Sequence, residues 1–202
     1  MKKLQRRAVR KSRTPKLTPK AAATKARVTP DGNHLRVIFT EKQIRKRVSE
    51  LAAQVNRDSQ GKTLHVIGIL ENCFLFMADL VRDLTVPVIC HFLKAETTDS
   101  SSGGVSVREI VYTPRVEVGG KDVLLVDGIL QSGVTIDHLV RVMQSQQANS
   151  VRIAELIEKT DEKKVDVATA YVGFKTQEKF LVGYGLGFQD KYRNLPHIST
   201  LT

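Results

Sequence analysis

The sequence predicts an α/β domain of three layers, with a central, mostly parallel sheet and a small C-terminal hood. Three observations carry this. Apolar runs of strand length recur at LHVIGIL (64–70), VPVICHFL (86–93), VLLVD (123–127) and VRIAELI (151–157). Segments of helical period lie between several of them, so the order reads β–α–β, as in a parallel sheet with right-handed crossovers. The chain's 202 residues, 41% hydrophobic, suffice for one domain with a real core.

In chain order, residues 1–33 read as a flexible tail and 34–202 as the domain. The stretch KLTPKAAATKARVTPDGN has no apolar period to bury. HLRVIF (34–39) is a short strand. Thr40 is placed to cap a helix, with Gln43 three residues on completing a capping box. That helix carries Ile44, Val48, Leu51, Ala52 and Val55 on one face and ends before Ser59-Gln60-Gly61. FLFMADLVRDL (74–84) is a helix between the first two core strands. AETTDSSSGG (95–104) is small and polar and reads as a mobile loop, and VSVREIVY (105–112) as a strand leaving it. PRVEVGG (114–120) holds turn signals, GILQSG (128–133) is a loop, and VTIDHLVRVMQSQ (134–146) is a helix. The hood is expected around 159–195, with FLVGYGL (180–186) as its clearest strand.

Charge is uneven. Residues 1–27 hold eleven Lys or Arg and no acid, which leaves 21 basic against 21 acidic residues in the rest. The net charge of +11 therefore belongs to the tail. Such a segment attracts polyanions, yet lacks an aromatic to stack on bases; a targeting role and a solubilising extension fit it equally. The apolar runs are too short to span a membrane, and no apolar segment near the start suits a secretory leader, so a cytoplasmic location is expected. Cys73 and Cys90 sit among apolar neighbours and read as two buried thiols in a reducing compartment; their spacing fits no metal motif.

The most informative stretch is VLLVDGILQSGVT (123–135). An apolar strand ends in an acid, a loop carries Ser132-Gly133, and Thr135 opens a helix. Backbone N–H groups at a helix start bind phosphate, the Ser132 and Thr135 hydroxyls add donors, and Gly133 permits close approach. Ligands of parallel sheets sit at the carboxyl ends of the strands, where this loop falls. The plainer alternative is a surface loop capped by Ser or Thr.

This stretch resembles the diphosphoribosyl (PRPP) motif of type I phosphoribosyltransferases. KQIRKRVSELAAQVNRD is similar to that family's first helix, and FLFMADLVRDL to the helix after its pyrophosphate loop. YVGFKTQEKFLVGYGLGFQDKYRNLPHI (171–198) resembles the C-terminal signature of the hypoxanthine-guanine branch. The resemblance implies that Ser132, Gly133, Val134 and Thr135 hold a phosphate. It implies that Asp127 and Gly128 stand at the ribose and metal side, and that Glu71, Asn72 and Arg193 stand at the pyrophosphate side. Lys159 falls where a lysine meets the purine 6-oxo group, Phe180 where an aromatic stacks on the ring, and Leu181 where backbone groups recognise the base.

Several positions depart from the family pattern. Two adjacent acids become Asp127-Gly128, and the Asp that accepts the N7 proton becomes Gln131, an amide that cannot accept a proton near neutral pH. Leu-Lys-Gly becomes Leu70-Glu71-Asn72, which sets a repelling charge against pyrophosphate and makes an unusual cis peptide there less comfortable. A Ser-Tyr lid pair has no tyrosine counterpart in 95–103, and a metal-associated Asp becomes Gly187. Magnesium, which the resemblance implies, is left with Asp127 as its family-type carboxylate. The expectation is a purine phosphoribosyltransferase homologue that binds a nucleotide-type or PRPP-like ligand with weak or no transferase activity. The alternative is an active enzyme making IMP or GMP. A homodimer or homotetramer is expected by resemblance.

Overall fold

Six strands form the central sheet of the computed structural model. It describes the backbone of residues 27–28, 34–102, 105–113 and 116–201, and the side chains of 34–94 and 116–201. The strands are β3 (Leu64–Leu70), β4 (Val88–Ser102), β5 (Val105–Thr113), β6 (Asp122–Leu130), β7 (Ser150–Lys159) and β8 (Tyr171–Thr176), in spatial order β5-β4-β3-β6-β7-β8. All neighbouring pairs are parallel except β4–β5. β6 therefore lies inside the sheet, between β3 and β7, as its apolar run requires.

Helix α1 (Glu41–Asp58) begins with the expected capping box: the Thr40 hydroxyl accepts the Gln43 N–H at 3.4 Å, and Gln43 Oε1 accepts the Thr40 N–H at 2.9 Å. Its buried stripe of Ile44, Val48, Leu51, Ala52 and Val55 joins Phe76 and Leu80 of α2 (Phe74–Arg82) over Val66, Leu124 and Leu156. Helix α3 (Val134–Ser145) covers the other face, with Ile136, Leu139 and Met143 against Ile67, Leu125 and Ile153. Consecutive strand residues such as Leu124 and Leu125 point to opposite faces, so a continuous apolar run serves both layers.

A smaller antiparallel sheet, β1 (Arg27–Val28), β2 (His34–Phe39), β10 (Ile198–Leu201) and β9 (Leu181–Val182), forms the hood. It draws on both ends of the chain, whereas the sequence pointed to 159–195 alone. Arg27 and Val28, inside the stretch read as tail, pair with Leu35 and His34. The expectations of a flexible tail and of polyanion contact through residues 1–27 otherwise lie outside the described residues.

Several boundaries differ from expectation. Ala95–Ser102 continue β4 antiparallel to β5, from Lys94 opposite Thr113 to Ser102 opposite Val105, so no mobile loop covers 95–102. The alternating run that begins at Val105 supplies the partner strand. Residues 128–130 extend β6 rather than beginning a loop, because Ile129 and Leu130 pair with Ile157 and Glu158. FLVGYGL forms a strand only at Leu181–Val182. Gly183, Tyr184 and Gly185 have φ of 96°, 52° and 93°, which turn the chain. Cys73 is buried as expected, but Cys90 is exposed, since β5 joins β4 only from Lys94 onward.

Candidate active site

The carboxyl ends of β3, β6 and β7 carry the loops that hold the motif residues. After Leu130 the exposed Gln131 leaves the sheet, and Gly133, with φ of 80°, is the N-cap of α3, which begins at Val134 as expected. The Ser132 carbonyl accepts the N–H groups of Lys164 and Val165, each at 3.0 Å, which anchors the loop from behind. A Cβ at Gly133 would stand 2.7 Å from the Val165 carbonyl oxygen, so both backbone angle and space call for glycine. No side chain caps α3, and Ser132 Oγ accepts the Val134 N–H at 3.4 Å. Val134 is 41% exposed, and Thr135 stands partly buried in the first turn. The first-turn N–H groups with these two hydroxyls can bind an anion.

Below this loop lies an acidic pair. Asp127 of β6 sits in register with Glu155 of β7. Asp127 Oδ1 accepts the Gly128 N–H at 2.7 Å, yet loss of solvent pushes its carboxyl up to about 7. Glu155 is fully buried, and neither carboxylate oxygen has a hydrogen-bond partner. Burial, then the nearby Asp127 and Glu158 charges, raise it well above the ordinary glutamate value; Lys163 opposes them. Cys73 faces the same acids: burial first and the Asp127 charge second push its thiol up to about 12, so it stays protonated.

On the β3 side, Arg193 gathers three acceptors. Its guanidinium donates to Asn72 Oδ1 at 2.7 Å and to the Gly185 carbonyl at 2.9 Å, and pairs with Glu71 Oε2 at 3.1 Å. It lies across Gly187, where a Cβ would stand 2.8 Å from the Arg193 Cζ. The backbone of Asn72 presses on Gly128 so closely that a Cβ there would collide with the Asn72 carbonyl. The peptide bond between Leu70 and Glu71 is cis, one residue before the position expected.

On the hood side, Lys159 ends β7. A lone strand-end lysine would ordinarily be solvated, but this one is only 2% exposed. Its ammonium donates to the Glu178 carbonyl at 2.5 Å and pairs with Glu162 Oε1 at 2.9 Å. Glu178 in turn accepts from Arg36 of β2 at 2.7 Å, which ties this loop to the hood sheet. Two residues on, Phe180 is 61% exposed and meets Phe188 edge-on at 6.0 Å, while Leu181 is buried in β9 opposite Thr200. An exposed ring beside a buried ammonium is chemistry suited to a flat heteroaromatic carrying a carbonyl. A separate open hollow of about 630 Å³, lined by Thr176–Lys179, Thr200 and Leu201, includes none of the residues 127–135.

The family model of the phosphoribosyl transferase domain matches residues 36–189. This chain belongs to the phosphoribosyltransferase family. It is 38% identical to a hypoxanthine-guanine phosphoribosyltransferase of Dictyostelium discoideum over 169 residues, covering 82% of this chain and 94% of that one. The enzyme of the same name from Staphylococcus aureus strain Mu50 is 34% identical, covering 82% and 92%. A crystal structure of a Staphylococcus aureus hypoxanthine phosphoribosyltransferase superposes with a TM-score of 0.75 at 35% identity, covering 82% and 90%. Together these place the chain in the hypoxanthine-guanine branch of the type I fold.

In this chain Ser132, Gly133, Val134 and Thr135 stand together on one loop. Lys159 and Leu181 meet the hood on either side of Glu178 and Phe180. Glu71, Asn72 and Arg193 form one bonded cluster. The donor set fits a protein-held magnesium poorly. Asp127 is half-buried and accepts from Gly128, positions 128 and 187 carry no carboxylate, and Glu71 is engaged by Arg193. Among the described residues no cluster of three His, Cys, Asp or Glu is placed to hold a metal. Sequence reasoning missed Glu155, although a lone acid inside VRIAELI was a visible signal. It also missed the Glu162 and Glu178 partners of Lys159, for which spacing gave none.

Proposed function

We propose that this member of the phosphoribosyltransferase family binds a purine nucleotide and transfers phosphoribosyl groups weakly or not at all. In this reading the nucleotide's phosphate lies on Ser132–Thr135 and its base against Lys159, Phe180 and Leu181. The observation that carries it is the Arg193–Glu71 pair at 3.1 Å, which turns a cation of the site toward a carboxylate of the chain itself. Transfer requires purine N9 to displace pyrophosphate from C1′ of PRPP while the N7 proton departs. Gln131 has no basic atom to take that proton, and loss of a general base costs about 10²–10⁴-fold in rate. The negative charge of Glu71 opposes the charge that builds on departing pyrophosphate.

A second reading is favoured by the comparisons: an active enzyme making IMP or GMP from PRPP and the free base, with release of pyrophosphate. Its support is the 38% and 34% identity to relatives bearing the hypoxanthine-guanine name across 82% of the chain. Steady-state turnover of hypoxanthine and guanine with PRPP and magnesium decides between the two, run beside the double variant Glu71→Lys, Gln131→Asp. Turnover of about 1–10³ s⁻¹ in the unaltered protein, the ordinary enzyme range, establishes the second reading and refutes the first. No turnover, with GMP binding that is lost in Thr135→Ala, supports the first. The proposal extends to a cytoplasmic homodimer or homotetramer. Ile89 and Phe92, 44% and 42% exposed on β4, offer apolar surface for a second copy. Among the described residues no helix is long and apolar enough to cross a membrane.

A further inference from the structure

We propose that Glu71 is a built-in competitor for the Arg193 guanidinium, so that the site accepts purine nucleoside monophosphates and discriminates against pyrophosphate and ligands that carry it. This deepens the purine-nucleotide reading and rests on it. Guanidinium groups at the carboxyl ends of parallel strands are natural anion receptors, because their planar fork matches paired oxygens. Here the fork is engaged within the chain: the Asn72 amide oxygen and the Gly185 carbonyl take Nη1, and the Glu71 carboxylate pairs with Nη2. Missing side chains make this geometry possible. A Cβ at Gly187 would meet the Arg193 Cζ, Cγ and Nε at 2.8–2.9 Å, and Asn72 can sit where it does because position 128 is also glycine.

The α3 loop and the Arg193 cluster share no hydrogen-bonding partner among the described residues. The α3 loop is anchored by Lys164 and Val165 and includes no partner of Arg193. A single phosphate there leaves the Arg193–Glu71 pair intact. A pyrophosphate reaching Arg193 competes with Glu71, whose side chain is 51% exposed against 25% for Arg193, and lies beside that carboxylate whether or not it displaces it. Removing one negative charge at such range is worth about tenfold in the affinity of an anion.

The test is calorimetric titration of the full chain and of Glu71→Gln and Glu71→Ala with inorganic pyrophosphate and, separately, GMP at fixed ionic strength. Glu71 is exposed, so both variants should fold, and equal thermal midpoints verify this. The expected result is pyrophosphate affinity raised about tenfold or more in both variants, with GMP affinity changed less than about threefold. The gain should vanish when Arg193→Gln is added to Glu71→Gln. Pyrophosphate affinity within about threefold of the unaltered chain in both variants, or a gain that survives loss of Arg193, overturns the proposal. Absence of GMP binding in every protein refutes the underlying nucleotide reading, while the pyrophosphate ratio still decides the role of Glu71.

Discussion

Replacing Glu155 by glutamine should remove a pH-dependent loss of stability. Glu155 is fully buried, its two oxygens lack partners, and burial with the neighbouring Asp127 and Glu158 charges raises it well above 4.5. In the unfolded chain it ionises near that ordinary value, so above about pH 5 the folded state holds a proton that the unfolded state has released. Stability therefore falls as pH rises, by about 1.4 kcal/mol per pH unit for each such group. Asp127, pushed up to about 7, acts in the same direction until pH passes that value. Groups that act oppositely, such as Asp122, held down near 2 first by its Ser150 hydrogen bond, are common to both proteins and cancel in the comparison. Glu155→Gln should change stability little at pH 5, because the protonated carboxyl and the amide are both neutral and both lack partners there. As pH rises above about 5 it should then gain stability relative to the unaltered chain, along a slope of about 1.4 kcal/mol per unit, until Glu155 ionises in the folded state. Urea denaturation at pH 5, 6 and 7 reads both quantities. Parallel stability curves for the two proteins would refute the argument, since they would mean that Glu155 titrates alike in both states.

Two further outcomes follow from packing. Gly128→Ala forces a methyl group against the Asn72 carbonyl and should cost about 1–3 kcal/mol, lowering the thermal midpoint by several degrees; an unchanged midpoint would show that β6 does not press on the 71–73 loop. Light scattering at micromolar concentration should read at least a dimer, and a monomer of 22.5 kDa would reject the role given to the exposed Ile89 and Phe92.

The strands and helices were legible where apolar periodicity and capping coincide. α1 was marked by Thr40, Gln43 and its buried stripe, and β6 by an uninterrupted apolar run that needs cover on both faces. The β4–β5 hairpin was not. Ser, Thr and Gly are compatible with both a loop and a hairpin tip, and strand pairing depends on a partner that composition does not reveal. The turns at Gly183–Gly185 were hidden because FLVGYGL has a strand's composition, and positive φ at Tyr184 is set by tertiary contact, including its hydroxyl bond to Asp79 at 2.6 Å. Within the site, the phosphate loop was readable because its donors are contiguous. The Lys159 and Arg193 partnerships were not, since Glu178 reaches Lys159 from a separate loop and Glu71 and Asn72 lie over a hundred residues from Arg193.

The substitutions at Glu71, Asn72, Gly128 and Gly187 look like four separate losses in the sequence, but they form one arrangement in space. Arg193 can cross position 187 only while that residue lacks a Cβ, and once there it needs an acceptor, which Glu71 and Asn72 supply. Asn72 in turn occupies room that any side chain at 128 would require. Returning Glu71 alone to lysine would set two cations about 3–4 Å apart, a repulsion of about 1–4 kcal/mol over the range from water to protein surface. Returning Gly187 alone to aspartate would drive its Cβ into the guanidinium that Glu71 holds in place. A single change at any of these positions thus alters the surroundings of the others. Such coupled sites depart from additivity, and the physical unit to be altered here is the whole Glu71–Asn72–Gly187–Arg193 cluster.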